Sequence, residues 1–128
     1  MQPQECGEKI YERQVKNPMD QTEISAEYDD GVLTVRIEGE VDHHAARHLR
    51  EDIDKKIFFH RPAVLVLDLS RVGFMDSSGL GLMLGRYTRM EEIGGRLVIS
   101  DPSQQTEKII RLSGLDKKIE IKKKGGQA

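Results

Sequence analysis

The sequence lacks several features that mark particular classes of protein. It has no tryptophan, three phenylalanines and three tyrosines, so its core must come from Leu, Ile, Val and Met. Its single cysteine, Cys6, excludes an internal disulfide. No apolar run approaches the ~18 residues that cross a bilayer, and residues 1–20 lack the apolar stretch of a signal peptide. We therefore expect a cytoplasmic protein that does not bind a membrane.

The chain also lacks an excess of charge of either sign. Its formal net charge is −2, although 33% of the residues are charged. Direct binding to nucleic acid needs a basic surface, so none is expected here. A length of 128 residues suits one domain. Composition predicts a polar N-terminal extension or short surface helix at residues 1–21, a folded domain at 22–121, and a basic, glycine-containing flexible tail at 122–128.

Alternating and apolar segments predict the strands. Residues 23–28 and 33–37 flank an Asp-Asp-Gly turn signal at 29–31, which is typical of an antiparallel hairpin. Residues 63–69 are nearly all apolar, as expected for a central strand covered on both faces. Shorter strands are expected at residues 96–100 and 119–121.

Helical spacing of apolar residues predicts three helices. Asp42 is placed to cap the first, which runs to about Lys56. The second covers residues 78–92 and ends at a pair of glycines. The third starts near Ser103 and stops at residues 113–114. The expected buried positions are Ala46, Leu49, Ile53 and Ile57 in the first helix and Ile109, Ile110 and Leu112 in the third.

The element order β-β-α-β-α-β-α-(β) predicts an α/β fold. Strand–helix–strand units imply crossover connections and parallel pairing, and the opening hairpin adds an antiparallel element. We expect a single domain with a mixed, mostly parallel sheet of four to five strands. An N-terminal β-hairpin opens the sheet, and three or more α-helices pack on it.

The most informative segment is residues 74–81, which read FMDSSGLG. It places Asp76, Ser77 and Ser78 where a loop from a strand turns into a helix. A helix start has unpaired N–H groups and a positive dipole end, so it favours a serine cap and also accepts a phosphate. Taken alone, this local pattern favours a cap over a phosphorylation site.

Two further clusters raise the possibility of a metal site. His44 and His48 are four residues apart, as metal ligands on a helix can be, with His43 beside them. No His-Glu-x-x-His arrangement or nearby cysteine accompanies them, so a solvated or partner-facing pair is the more typical interpretation. A small metal-dependent hydrolase remains an alternative, built on Asp42, His44 and Asp76 or on Asp68, Ser70 and Asp76.

Three segments together resemble a known family. They are residues 39–44 (GEVDHH), residues 74–81 continuing into 84–87 (LGRY), and residues 112–115 (LSGL). In register with the predicted elements, they resemble a STAS domain of the anti-sigma factor antagonist type over roughly residues 22–121. The Asp42-His43-His44 version favours the forespore sporulation type over the general-stress type.

The resemblance implies a non-catalytic regulatory protein without a cofactor. In this family, the unphosphorylated antagonist binds an ATP-bound or ADP-bound anti-sigma factor, which is itself a serine kinase, and the sigma factor is freed. Phosphorylation of the first serine after the aspartate, here Ser77, breaks that complex. A PP2C-type phosphatase restores the active form. A STAS module of another circuit, such as a general-stress antagonist or a stressosome-like scaffold, is the alternative within the family.

The resemblance also implies that the partner binds around two turns, the one at Asp42 before the first long helix and the one at Asp76 before the second. In this context Ser77 becomes the exposed phosphoacceptor and Ser78 the structural cap. Gly79 leaves room for another backbone to approach, and Gly81 and Gly85 extend a strip without side chains. The implied partner-binding residues are Asp42, His43, His44, Asp76, Ser77, Ser78, Gly79, Leu80 and Gly81.

Overall fold

The computed structural model describes residues 10–15 and 22–124, which form three α-helices and one six-stranded sheet. None of the helices in this described part is both long and apolar enough to cross a membrane. A short 3-10 helix, Leu115–Lys117, follows the third α-helix. In chain order the elements are β1 (Ile10–Val15), β2 (Thr22–Asp29), β3 (Val32–Val41), α1 (His43–His60), β4 (Val64–Met75), α2 (Ser78–Glu92), β5 (Arg96–Ser100), α3 (Gln104–Ser113) and β6 (Glu120–Lys122).

The sheet has the order β1-β2-β3-β4-β5-β6. The pairs β1/β2 and β2/β3 are antiparallel, and β3/β4, β4/β5 and β5/β6 are parallel. Each parallel step advances in the same direction and contains one helix. Because such crossovers are right-handed, the three helices lie on the same face of the sheet. The predicted mixed, mostly parallel α/β fold is confirmed.

The predicted hairpin is formed by β2 and β3. Asp30 and Gly31 have positive φ angles of 50° and 85°, as a two-residue turn of type I′ requires. Along β3, Leu33, Val35 and Ile37 are fully buried while alternate positions are more exposed. One face of the sheet therefore meets the helices, where the largest buried helical side chains are Leu49, Ile53, Ile57, Met83 and Met90.

Two elements run further than the sequence predicts. Helix α1 reaches His60 rather than residue 56, because Ile57 is buried and Arg61, in a left-handed conformation, donates its N–H to the Ile57 carbonyl. Strand β4 continues from the apolar run to Met75. This extension stays paired with β3 as far as the partners Val41 and Met75.

Two other features differ from expectation. Residues 10–15 form a strand instead of a surface helix, and they pair with β2 from Ile10 opposite Tyr28 to Val15 opposite Glu23. The rest of the expected extension and residues 125–128 of the expected tail lie outside the described residues, and Lys122, expected to begin the tail, is the last residue of β6. In α3 the prediction for Leu112 is wrong: it is 79% exposed, and Thr106 and Ile110 are the buried side chains.

Candidate functional site

The turns before α1 and α2 lie side by side at one edge of the sheet. Strands β3 and β4 are parallel neighbours, so their carboxyl ends meet at that edge, with Val41 opposite Met75. The Asp76 N–H donates to the Val41 carbonyl at 3.1 Å, which ties the second turn to the first. The structure therefore brings the Asp42 turn and the Asp76 turn together, which agrees with the shared surface that the family resemblance implies.

The first turn is closed by its predicted cap. Asp42 has an extended backbone, and its Oδ1 accepts a hydrogen bond from the Ala45 N–H at 2.9 Å. This satisfies one of the unpaired donors at the start of α1. Asp42, His43 and His44 are all exposed at the surface.

The second turn is closed differently from the prediction. The Asp76 Oδ1 accepts from the Ser78 N–H at 2.8 Å, and the Asp76 carbonyl accepts from the Gly79 N–H at 2.9 Å. Ser78 is the first residue of α2, and its hydroxyl lies 3.5 Å from His43 Nδ1. The prediction that Ser78 is the structural cap is therefore wrong, because the Asp76 carboxylate has that role.

Ser77 is left with an unused hydroxyl. It has a helical backbone conformation, φ −65° and ψ −17°, and its side chain makes no capping hydrogen bond. The residue is exposed, whereas Ser78 is half-buried and Gly79 is buried. Among the residues the structure describes, Ser77 is thus the serine of this turn whose hydroxyl faces solvent without a structural task.

The glycines of α2 fall into two kinds. A Cβ on Gly79 would overlap the buried side chain of Met75, so glycine at this position lets the helix pack closely against the preceding strand. This differs from the expectation that Gly79 leaves room for a partner. A Cβ on Gly81 or Gly85 would meet no atom within 4 Å. The strip without side chains therefore starts at Gly81, beside the half-buried Leu80.

A groove of about 480 Å³ separates the first halves of α1 and α2. It contains two residues that sequence reasoning missed, Arg47 and Arg50. Together with His43, these residues recur at helical spacing along one face of α1. That spacing in the sequence could have indicated a shared basic face. The full lining is His43, Ala46, Arg47 and Arg50 from α1 and Ser78, Gly81 and Leu82 from α2.

An ion pair between the buried Arg86 and the partly exposed Asp54 joins the two helices. Arg86 is 3% exposed, and its Nε lies 3.0 Å from Oδ1 of Asp54. Burial lowers the pKa of Arg86; the Asp54 charge opposes that shift, and the nearby cations Arg89 and Arg50 add to it. The pair connects α1 to α2, since it links a side chain of each helix.

The structure does not assemble the ligand sets of the hydrolase alternatives. Asp68 is buried in β4 and accepts from Arg36 Nε at 3.1 Å and from the Ser70 N–H at 2.9 Å. Burial opposes ionisation of Asp68, but hydrogen bonds from Ser70 and Arg36 outweigh it and hold its pKa below the usual value. Within residues 10–15 and 22–124, no three His, Cys, Asp or Glu side chains converge as metal ligands would. The rings of His44 and His48 contact each other edge-on, with centroids 4.7 Å apart.

Known proteins are similar to this chain in sequence and fold. The family model for the STAS domain matches residues 23–128. An anti-sigma F factor antagonist of Paenibacillus polymyxa is 38% identical over 77% of this chain and 85% of that protein. The unphosphorylated anti-sigma factor antagonist SpoIIAA superposes with a TM-score of 0.64 at 28% identity, covering 88% of this chain and 87% of that one. The Bacillus cell fate determinant SpoIIAA in its phosphorylated form gives 0.59 at 28% identity, covering 88% and 90%. With the matched model extending over most of its length, the chain belongs to the STAS-domain family.

Proposed function

We propose that this protein is an anti-sigma factor antagonist of the sporulation type, controlled by phosphorylation of Ser77. In its unphosphorylated form it binds an anti-sigma factor that is also a serine kinase, in the ATP-bound or ADP-bound state, and thereby frees the sigma factor. The observation that carries the proposal is the exposed Ser77 hydroxyl, which makes no capping bond at the start of α2. The anti-sigma F factor antagonist at 38% identity supports the choice of circuit.

The geometry of the Ser77 turn suits transfer of a phosphoryl group. A kinase substrate must present its hydroxyl to the γ-phosphate of ATP, and an exposed turn does so more readily than a helix interior. The capping bond at this turn comes from Asp76, so a modified Ser77 leaves it intact. The kinase supplies ATP, magnesium and any catalytic base, and this chain supplies only the acceptor.

Phosphorylation acts on the complex and leaves the fold in place. A phosphate on Ser77 adds about −1.5 to −2 charges at pH 7, and the dipole of α2 favours it by about 0.3–1 kcal/mol. In a closed interface, the same dianion lies beside the Asp76 carboxylate and loses its water, which costs several kcal/mol. A thousandfold loss of affinity needs only about 4 kcal/mol. The charge alone is therefore sufficient for release.

The proposed partner surface comprises the two turns and the outer side of α2. Gly81 and Gly85 each cost about 1 kcal/mol against alanine in a helix interior. A Cβ at either position would meet no other element of the described chain within 4 Å, so packing within that part does not explain the two glycines, and close approach of a partner would. Leu84 between them is 44% exposed. The surface is formed by Asp42, His43, His44, Asp76, Ser77, Ser78, Leu80 and Gly81, with Gly79 acting through the packing of Met75.

The remaining parts of the proposed cycle are those that the resemblance to the family implies. A PP2C-type phosphatase hydrolyses the ester and returns the chain to its binding form. The protein acts in the cytoplasm, where the sigma factor meets RNA polymerase, and it catalyses no reaction itself.

The direct test of this function is release of the sigma factor. A complex of sigma factor and anti-sigma factor is formed with nucleotide, and sigma-dependent transcription is measured as the chain is added. Unphosphorylated chain is expected to restore transcription, and chain first incubated with the kinase and ATP is expected not to. Ser77→Ala should restore transcription with or without that incubation. Failure of the unphosphorylated chain to restore transcription would contradict the proposed function.

A further inference from the structure

The groove between α1 and α2 has a positively charged wall without a counter-charge. Arg47 and Arg50 are exposed, and neither forms a salt bridge or hydrogen bond with another residue in the described part of the chain. No acidic side chain lines the groove. Two unpaired guanidinium groups that face the same groove favour an anionic partner, because each presents a rigid fork of donors that matches a carboxylate.

The surroundings of the groove increase this positive charge. Asp54, one turn beyond Arg50 in α1, contacts Arg86 at 3.0 Å and Arg89 at 3.4 Å, so it is already paired. Arg50 acts on Arg86 as a second positive charge, since it helps to lower the pKa of that guanidinium. Of the four arginines along α1 and α2, Arg86 and Arg89 pair with carboxylates, those of Asp54 and Glu92, and Arg47 and Arg50 pair with none among the described residues.

We propose that this groove binds an acidic segment of the anti-sigma factor, whose Asp or Glu side chains pair with Arg47 and Arg50. The inference rests on the proposed function and names the chemistry that its partner must present. The groove is continuous with the proposed partner surface, because His43, Ser78 and Gly81 belong to both. Gly81 leaves space at the groove wall, and arginine binds carboxylates with two parallel hydrogen bonds.

The groove also links recognition to the phosphorylation switch. Ser77 immediately precedes Ser78, which forms part of the groove wall. A phosphate on Ser77 places a dianion at the mouth of the groove, where it repels an acidic segment and competes with it for the arginines. Occupancy of the groove and phosphorylation of Ser77 therefore oppose each other.

Charge reversal in the groove tests the proposal. Affinity for the anti-sigma factor is measured by calorimetry, at low and high salt, for the wild-type chain and for Arg47→Glu/Arg50→Glu. The matched control is Arg71→Glu/Lys117→Glu, which changes the net charge equally at exposed positions outside the groove. The groove variant should bind at least about tenfold more weakly at low salt and lose much of the salt dependence, while the control stays near wild type. Equal affinity of the two variants would overturn the proposal.

The other outcomes separate this inference from the proposed function. If wild-type chain does not bind the anti-sigma factor, the proposed function fails and this proposal fails with it. If wild-type chain binds, phospho-Ser77 weakens binding, and the groove variant still binds normally, only this proposal fails. A groove variant that binds normally but is phosphorylated slowly would assign the arginines to the nucleotide phosphates and also overturn it. Arg47→Gln/Arg50→Gln, expected to lose less affinity, replaces the charge reversal if circular dichroism shows that variant unfolded.

Discussion

Two serines that precede helices show how the backbone conformation determines whether a serine hydroxyl caps the helix. Ser103 precedes α3 with an extended backbone, ψ 164°, and its hydroxyl accepts from the Thr106 N–H at 3.1 Å. Ser77 holds the same position before α2, but its ψ is −17° and its hydroxyl caps nothing. The φ angles are nearly equal, −64° and −65°, so the difference lies in ψ. Residue type alone does not distinguish a structural serine from an available one.

The difference originates one residue earlier in the chain. The Asp76 N–H is held by the Val41 carbonyl of β3, and the Asp76 carboxylate already accepts from the Ser78 N–H. The turn into α2 is therefore held by the hydrogen bonds of Asp76, and the Ser77 side chain makes no capping bond there. Before α3 the Ser103 hydroxyl oxygen itself accepts from the Thr106 N–H, one of the unpaired donors at the start of that helix. A covalent group can be added to Ser77 without cost to a cap.

The largest expected contrast between the two serines is their reaction with the kinase. Incubation with the anti-sigma kinase and ATP should place phosphate on Ser77 only, so Ser77→Ala should abolish incorporation and Ser103→Ala should leave it near wild type. Peptide mapping by mass spectrometry measures both. Phosphate found on Ser78 or Ser103 in the wild-type chain would break the contrast.

A second contrast concerns Gly79 and Gly81, two residues apart in the helix that Ser77 precedes. Gly79→Ala should lower the free energy of unfolding by about 1–3 kcal/mol, because its Cβ overlaps the buried Met75. Gly81→Ala should raise it by up to about 1 kcal/mol, because its Cβ enters open space and alanine favours helix. Urea unfolding at neutral pH measures both.

The Gly81 variant also separates stability from binding. If the strip at Gly81 and Gly85 is part of the docking surface, Gly81→Ala should weaken binding to the anti-sigma factor while it stabilises the free chain. A variant that is both more stable and unchanged in affinity would remove Gly81 from the proposed surface.

The smallest expected effects are those of the caps themselves. Ser103→Ala and Asp76→Ala should each cost about 1 kcal/mol of stability, because each removes an accepted bond at a helix start. Ser77→Ala should stay within about 0.5 kcal/mol of wild type, because its hydroxyl has no structural partner in the described chain. Thermal unfolding of the three variants compares them. A loss at Ser77 as large as that at Ser103 would contradict the free-hydroxyl geometry.

Sequence reasoning succeeded where the signals are local. The bounds of α2 follow from apolar spacing and the glycines after it, and the Asp42 cap follows from a residue type directly before a helix pattern. The turn at Asp30 and Gly31 is likewise encoded in adjacent residues. Helix ends and tight turns depend on hydrogen bonds between residues three or four positions apart, so the local sequence is sufficient to predict them.

It failed where distant parts of the chain decide. Strand β1 depends on pairing with β2, and its own residues alternate too weakly to show this. The expected core position Leu112 is exposed, because α3 buries the face that carries Thr106 and Ile110. Asp76 caps α2 in place of Ser78, because its bond to β3 positions the turn. Arg47 lines a groove only because α2 lies beside α1.

The central claim is that one added dianion at Ser77 decides whether the anti-sigma factor can bind. It is tested most directly by measuring the affinity of the anti-sigma factor for the wild-type chain, the stoichiometrically phosphorylated chain and Ser77→Ala. The account predicts similar affinities for the wild-type chain and Ser77→Ala, and an affinity for the phosphorylated chain that is lower by a factor on the order of a hundred to a thousand. Equal affinity of the phosphorylated and unphosphorylated chains would contradict it.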